Sequence, residues 1–314
     1  MYTVGAPPAK LRRAEDWSYP KRHAAARIRP DGRGGLIRDR IAALDDELLD
    51  ELTTIVSAAS AAILAIRAGA LKTHAKADHS PVTAADHASE MVILAGLARL
   101  LPDVAVISEE ATALSISASA PSDPFILVDP LDGTRELIAG RDEFTINVAI
   151  VVGGRPQLGI VAAPAQGVLW RGIVGKGAER LRLAAGRPAT AAEERTVVHV
   201  RAAPRASMIA AASRSHLDPQ TEAFLARLPI AEWRTSGSAI KFCQLAEGTA
   251  DVYPRLSTTC EWDVAAGEAL LSAAGGVVTT PRGAPLTYGR REANFRIPGF
   301  VAWGDPTAAN HFTV

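Results

Sequence analysis

Residues 128–147 read VDPLDGTRELIAGRDEFTIN. Immediately before Asp129 stands an apolar run, Pro124 to Val128 (PFILV), whose length and composition predict a buried strand. The strand is expected to stop at Asp129, because Pro130, Asp132 and Gly133 impose a turn. A turn of that kind aims the Asp129 and Asp132 carboxylates at one point, with the Leu131 carbonyl between them. Two carboxylates and a carbonyl are hard oxygen donors, which suit Mg2+ rather than zinc. Gly133 and Thr134 then open a short helical turn, whose free N–H groups face an anion held at the same place. Taken alone, Asp-Pro-x-Asp-Gly is also an ordinary surface turn, so the reading needs support from elsewhere in the chain.

Upstream, Val104 to Ile107 reads as a strand running into Ser108, Glu109 and Glu110. Adjacent carboxylates at a strand end repel each other unless solvent or a cation compensates, which leaves a solvated loop or a metal ligand. Downstream, Glu261-Trp262-Asp263 begins an alanine-rich helix, Ala265 to Ala274. Asp86 falls in the first turn of another predicted helix, Ala84 to Leu101, behind an extended Pro81 to Thr83 with Thr83 as N-cap. Taken singly, Asp86 and Asp263 are explained by helix capping and the helix dipole.

Around these sites the periodicity predicts a long amphipathic helix over 44–70, with Leu48, Leu49, Leu52, Ile55, Val56, Ala59, Ile63 and Ile66 on its apolar face. After the central motif, strands at 144–152, 157–162, 168–174 and 179–183 are separated by glycine and proline turns, the pattern of an antiparallel meander. A polar connector, 184–195, marks the expected junction of two subdomains, 41–190 and 191–314. Beyond it strands and helices alternate, the signature of an α/β layer. In that half, Ser213-Arg214-Ser215-His216 lies between a strand and a helix, where the arginine and hydroxyls can hold a phosphate. Ser236-Gly237-Ser238 opens a further helix and offers a second anion site. Helix capping explains each serine cluster equally well. Lys241 reads either as a phosphate-binding cation or as an exposed helix lysine.

The 314 residues carry 34 basic and 34 acidic side chains, for a formal net charge of zero. That balance argues against a general nucleic-acid or membrane-surface binder, so an anionic substrate must be drawn in locally. No run is read as a membrane span, and no secretory signal is read at the start. Cys243 and Cys260 form no CxxC or Cys/His zinc pattern and are expected to be reduced thiols of a cytoplasmic protein. Residues 1–40, with ten Lys/Arg against four Asp/Glu and little apolar periodicity, are expected to be a solvated, poorly ordered basic extension.

Read together, Glu109 in ISEE, Asp129 to Thr134 in DPLDGT and Asp263 in EWDVAAGEA stand in the order and spacing of the Mg2+-dependent, lithium-sensitive phosphatase superfamily, which the chain resembles from about Asp45 to Gly304. Within it, KADHSPVTAAD, DGTREL followed by DEFTIN, SRSH and SAIKFCQLAEGTADVYPR resemble the CysQ-type 3'(2'),5'-bisphosphate nucleotidases. Inositol monophosphatases usually continue DGT with an Asn-Phe pair, and fructose bisphosphatases have DGSSN there. The resemblance implies an α/β (α+β) fold, a layered αβαβα sandwich with an antiparallel first half. It implies two or more Mg2+ ions on Glu109, Asp129, the Leu131 carbonyl, Asp132 and Asp263. Asp86 and Thr134, with Glu109, would activate the attacking water. Substrate contacts are expected at Gly133, Thr134, Arg135, Ser213, Arg214, Ser215, Lys241 and Asp263. The implied reaction removes the 3'-phosphate of adenosine 3',5'-bisphosphate (PAP). An inositol or sugar monophosphatase on the same metal site is the rival, and a non-catalytic phosphate-binding protein is the rival of another class. The expected partner is a phosphorylated nucleotide, with no nucleic acid and no membrane span; the oligomeric state stays open.

Overall fold

The structure is a computed structural model and describes residues 41, 44–69, 73–75, 81–114, 122–214 and 218–309. The extension expected over residues 1–40 lies outside them. Helix α1 (Asp46–Arg67) starts at Asp45, whose carboxylate accepts the Leu48 N–H at 2.9 Å. Its buried stripe, Leu48, Leu52, Val56, Ala59 and Ile63, keeps helical spacing. A short hairpin, β1 (Thr73–Ala75) and β2 (Pro81–Thr83), leads into α2 (Ala84–Leu100). The two helices meet where Gly96 leaves room: a Cβ there would lie 2.8 Å from the Ile55 side chain. Among the described residues, α1 alone has the length and apolar composition to cross a membrane. Its apolar stripe is occupied here by the protein core.

Both helices cover one face of a seven-stranded sheet. Its members follow as β3 (Ala105–Ser108), α3 (Glu109–Leu114), β4 (Phe125–Asp132), α4 (Thr134–Ile138), β5 (Thr145–Val152), β6 (Arg155–Ala163), β7 (Val168–Ile173), β8 (Gly177–Arg182) and β9 (Glu194–Val198), the two helices lying between strands. β3 and β4 pair in parallel, and every later pair is antiparallel. Ile126, Val128, Ile146, Val148 and Ile160 face α1 and α2, while Phe125, Leu127, Ala149, Val151 and Val161 face away. Burial on both faces explains why these strands read as unbroken apolar runs rather than alternating ones.

The second half runs β10 (Met208–Ser213), α5 (Pro219–Leu225), β11 (Ile230–Ser236), α6 (Ile240–Ala246), β12 (Val252–Arg255), β13 (Thr259–Cys260), α7 (Glu261–Ala273), β14 (Val277–Thr279), β15 (Arg296–Ile297), β16 (Phe300–Trp303) and α8 (Pro306–Ala309). Its five-stranded sheet has the order β11-β10-β12-β16-β14, parallel across the first three strands and antiparallel after them. α6 and α7 fill the space between the two sheets. At Gly159 a Cβ would lie 2.3 Å from the Ala266 carbonyl oxygen, so only glycine lets α7 come this close to β6. α5 and α8 close the outer face through Phe224, Leu225 and Ala308 against Met208, Val252 and Trp303. The result is helix, sheet, helix, sheet, helix: the αβαβα layering that the resemblance implied.

Two expectations about element limits change. β4 does not stop at Asp129; it runs on to Asp132, and its register with β5 shifts between Asp129 and Asp132. The DPLD segment is therefore a bulge within a strand, and the bulge rather than a free turn re-aims the side chains. The 184–195 connector does not end the first sheet either. β9, starting inside it at Glu194, pairs with β8 and adds one more strand, so the chain changes sheets after Val198 and not at 190.

Candidate active site

Glu109 opens α3 at the end of β3, Asp129 and Asp132 flank the β4 bulge, and Asp263 sits in the first turn of α7 after β13. These four acids form one electrostatic group. Burial pushes the Asp129 carboxyl well above the usual range, and Glu109, Asp132 and Asp263 push it further, while the Leu131 N–H at 3.1 Å pulls back. Asp132 is raised to about 7 by burial and by Asp263, against Lys241 and Arg255. Asp263 accepts the Thr259 hydroxyl and, at 3.2 Å, the Cys260 N–H.

On one side of this group stands a fixed relay. The Asp86 Oδ2 accepts the Thr83 N–H at 2.8 Å and the Thr83 hydroxyl at 2.7 Å, and its Oδ1 accepts the Thr134 hydroxyl at 3.0 Å. Asp86 thus completes the capping box of α2 with one oxygen and orients Thr134 with the other. Thr134 Oγ1 also lies 3.4 Å from the Leu131 carbonyl oxygen, within the bulge. Two residues not singled out in the sequence hold α2 against the site: Ser89 donates to the Pro130 carbonyl at 2.6 Å, and Glu90 accepts the Ser108 hydroxyl and, at 3.0 Å, the Ala111 N–H. Their helical spacing from Asp86 was visible, but nothing in the sequence marked their partners.

The donor set consists of carboxylates and one carbonyl, without imidazole or thiolate, and fits a hard divalent cation. Mutual repulsion around the buried Asp129 favours such a cation. Among the described residues no three His, Cys, Asp or Glu side chains already converge on one metal-sized point. Cys243 and Cys260 are free thiols, and burial followed by Asp263 pushes the Cys260 thiol up, away from the thiolate a metal would need.

The expected substrate residues divide. Gly133 adopts φ +94, and a Cβ there would lie 2.2 Å from the Ser238 hydroxyl oxygen, so its open side admits Ser238. The Ser238 hydroxyl reaches the Asp132 and Glu143 carbonyls at 2.8 and 2.9 Å. Lys241 is not an exposed helix lysine. Its Nζ is buried, donates to the Ser236 and Ser238 carbonyls at 3.2 and 2.5 Å, and lies 5.1 Å from the centre of the Tyr253 ring. Burial lowers Lys241 to about 8, with Asp132 pulling the other way, so this cation acts inward on Asp132. Arg214 is engaged by Glu143, Arg135 is exposed on α4, and Ser213 ends β10 in register with Ser236. Ser215 lies outside the described residues. Arg255, missed in the sequence because DVYPR reads as a strand end, is a second cation beside Asp132 and Asp263, and its Nε is buried without a hydrogen-bond partner among the described residues.

Comparison with known proteins identifies the family and the fold. The model of the inositol monophosphatase family matches residues 45–297. The 3'(2'),5'-bisphosphate nucleotidase CysQ of Escherichia coli K12 is 39% identical over 258 residues, 81% of this chain and 98% of that one. The crystal structure of CysQ from Bacteroides thetaiotaomicron superposes with a TM-score of 0.67 at 33% identity, over 81% of this chain and 95% of that one. The inositol monophosphatase of Anabaena sp. PCC 7120 gives a TM-score of 0.64 at 26% identity, over 83% and 92% of the two chains. Matched over residues 45–297, this chain belongs to the inositol monophosphatase family.

Proposed function

We propose that the chain hydrolyses the 3'-phosphate of adenosine 3',5'-bisphosphate to give AMP and phosphate, with Mg2+ as its cofactor. The observation that carries this reading is the Asp86–Thr134 hydrogen bond, 3.0 Å, set beside a partly buried group of mutually repelling carboxylates. The bisphosphate nucleotidase names of the relatives at 38–39% identity support the substrate.

Glu109, Asp129, the Leu131 carbonyl, Asp132 and Asp263 are the residues that would hold the metal. Magnesium bound there would neutralise charge on the phosphate ester and make water easier to deprotonate, the main barriers to hydrolysis of a phosphate dianion. The chain's own part is orientation. By donating its proton to Asp86, Thr134 Oγ1 turns its lone pairs outward to accept a hydrogen bond from the attacking water. Asp86 stays in place because Thr83 occupies its other oxygen. Lys241 and Arg255 oppose the repulsion on Asp132 from the second half of the chain. We assign most of the metal and water-orienting residues to the seven-stranded unit, Asp263 to the second half, and substrate selection to the seam between the two. Two free thiols and a balanced charge support a cytoplasmic setting.

The test is phosphate release from PAP and from inositol 1-phosphate, side by side, with Mg2+ and then with added Li+. Preference for PAP, abolished by Li+, is the expected result. Preference for inositol 1-phosphate would keep the metal site and overturn the substrate. Binding of PAP without turnover would make the chain a phosphate-ligand binder.

A further inference from the structure

Glu143 joins the two halves of the molecule at the mouth of the site. Its carboxylate takes Arg214 through both guanidinium arms, NH2 to Oε1 at 3.0 Å and NH1 to Oε2, and accepts the Gly237 N–H at 3.2 Å. The NH2 group also donates to the Thr235 carbonyl at 3.1 Å. Glu143 belongs to the loop before β5; Arg214 follows β10, and Gly237 follows β11. The pair is only partly covered, with side-chain exposures of 33% and 25%. It stands beyond the C-terminal ends of parallel strands, the usual place for ligands in open α/β sheets. It is also near the metal ligands: the Ser238 hydroxyl bridges the Glu143 carbonyl to the Asp132 carbonyl, at 2.9 and 2.8 Å.

A carboxylate offering two oxygens to a guanidinium fork has the shape and charge of a phosphate offering two of its own. We infer that the Glu143–Arg214 pair marks an anion subsite, where the Glu143 carboxylate and a substrate phosphate compete for one guanidinium fork. The second phosphate of a bisphosphorylated substrate displaces the Glu143 carboxylate from Arg214, and Glu143 keeps the Gly237 N–H. Glu143 is then a specificity-determining residue, because a monophosphate ester has nothing to exchange for the carboxylate. The inference rests on the proposed phosphatase function and adds to it how one class of substrate is selected.

The test is a double-mutant cycle on the Mg2+-loaded enzyme, with KM and kcat measured for PAP and for a monophosphate, 2'-AMP. Glu143→Gln keeps an acceptor for Gly237 and removes the competing charge. It is expected to lower KM for PAP several-fold and to leave 2'-AMP unchanged. Arg214→Ala is expected to raise KM for PAP about tenfold or more with kcat conserved, and Arg214→Lys to restore part of the loss. In the Arg214→Ala background, Glu143→Gln should lower KM for PAP by less than it does in wild type, because only charge repulsion is left to remove. Equal changes for both substrates, or an E143Q effect as large without Arg214 as with it, would overturn the inference and leave the pair as a structural latch. Wild-type enzyme that turns over neither ester would instead overturn the proposed function.

Discussion

Both oxygens of Asp86 are in use, one on the α2 cap and one on Thr134, so this residue ties local folding to the proposed catalytic hydroxyl. Thr134→Ala removes only the hydroxyl and is expected to lower kcat by about 10²-fold or more with KM little changed, measured by steady-state phosphate release. Asp132→Asn is expected to abolish turnover while circular dichroism and the thermal midpoint stay near wild type. Desolvation and then Asp263 raise the partly buried Asp132 to about 7, so its neutral analogue removes both costs. A near-normal rate in that variant would remove Asp132 from the metal set. The acids that the structure brings into one electrostatic group, together with Thr134 and Lys241, were all named from their motifs. Arg255 and Glu143 were missed because their partners are distant in the chain. Glu143 and Arg214, for example, stand 71 positions apart, and no local pattern encodes that pairing.

Elements show the same division. Helices α1 and α2 were legible within a few residues, because each carries its own stripe and cap. The β4 bulge was read as a turn, since Pro and Gly mark broken pairing without telling a bulge from a chain reversal. α7 was recognised as a helix but not as the layer between two sheets; its alanines and Gly267 signal close approach without naming the neighbour, which is Phe242. Gly159→Ala is expected to destabilise the fold by roughly 1–3 kcal/mol in urea unfolding, because the new methyl meets the α7 backbone. α7 also carries Glu268, buried at 3% exposure, with the Tyr288 hydroxyl donating to it at 2.6 Å. Burial raises Glu268 from 4.5 to about 7, opposed by Tyr288 and Arg155. The folded state therefore holds this proton more tightly than the unfolded chain does. The associated stability is complete below about pH 4.5, falls as pH rises toward 7, and is gone above it, a loss of roughly 3 kcal/mol or less. Glu268→Gln should flatten that part of the pH–stability profile; identical profiles for variant and wild type would show that Glu268 ionises without penalty.

At the scale of the whole molecule the carboxylate group is a point of repulsion that a bound cation would relieve. Saturating Mg2+ is expected to raise the unfolding free energy, by about 2.7 kcal/mol at one hundred times its dissociation constant. Asp132→Asn should lose most of that gain, and calorimetry with and without EDTA measures both. The position of α7 has a further consequence. Helices made late, α6 and α7, cover a face of the sheet that is made first, so the emerging chain presents Phe125, Leu127, Val151 and Val161 to solvent until residues 240–273 have been synthesised. A chain severed between β9 and β10 should yield two pieces that are each sticky and poorly soluble alone. Expressed together they should recover one another and the enzyme's turnover, as halves of a lock closed by a single bolt.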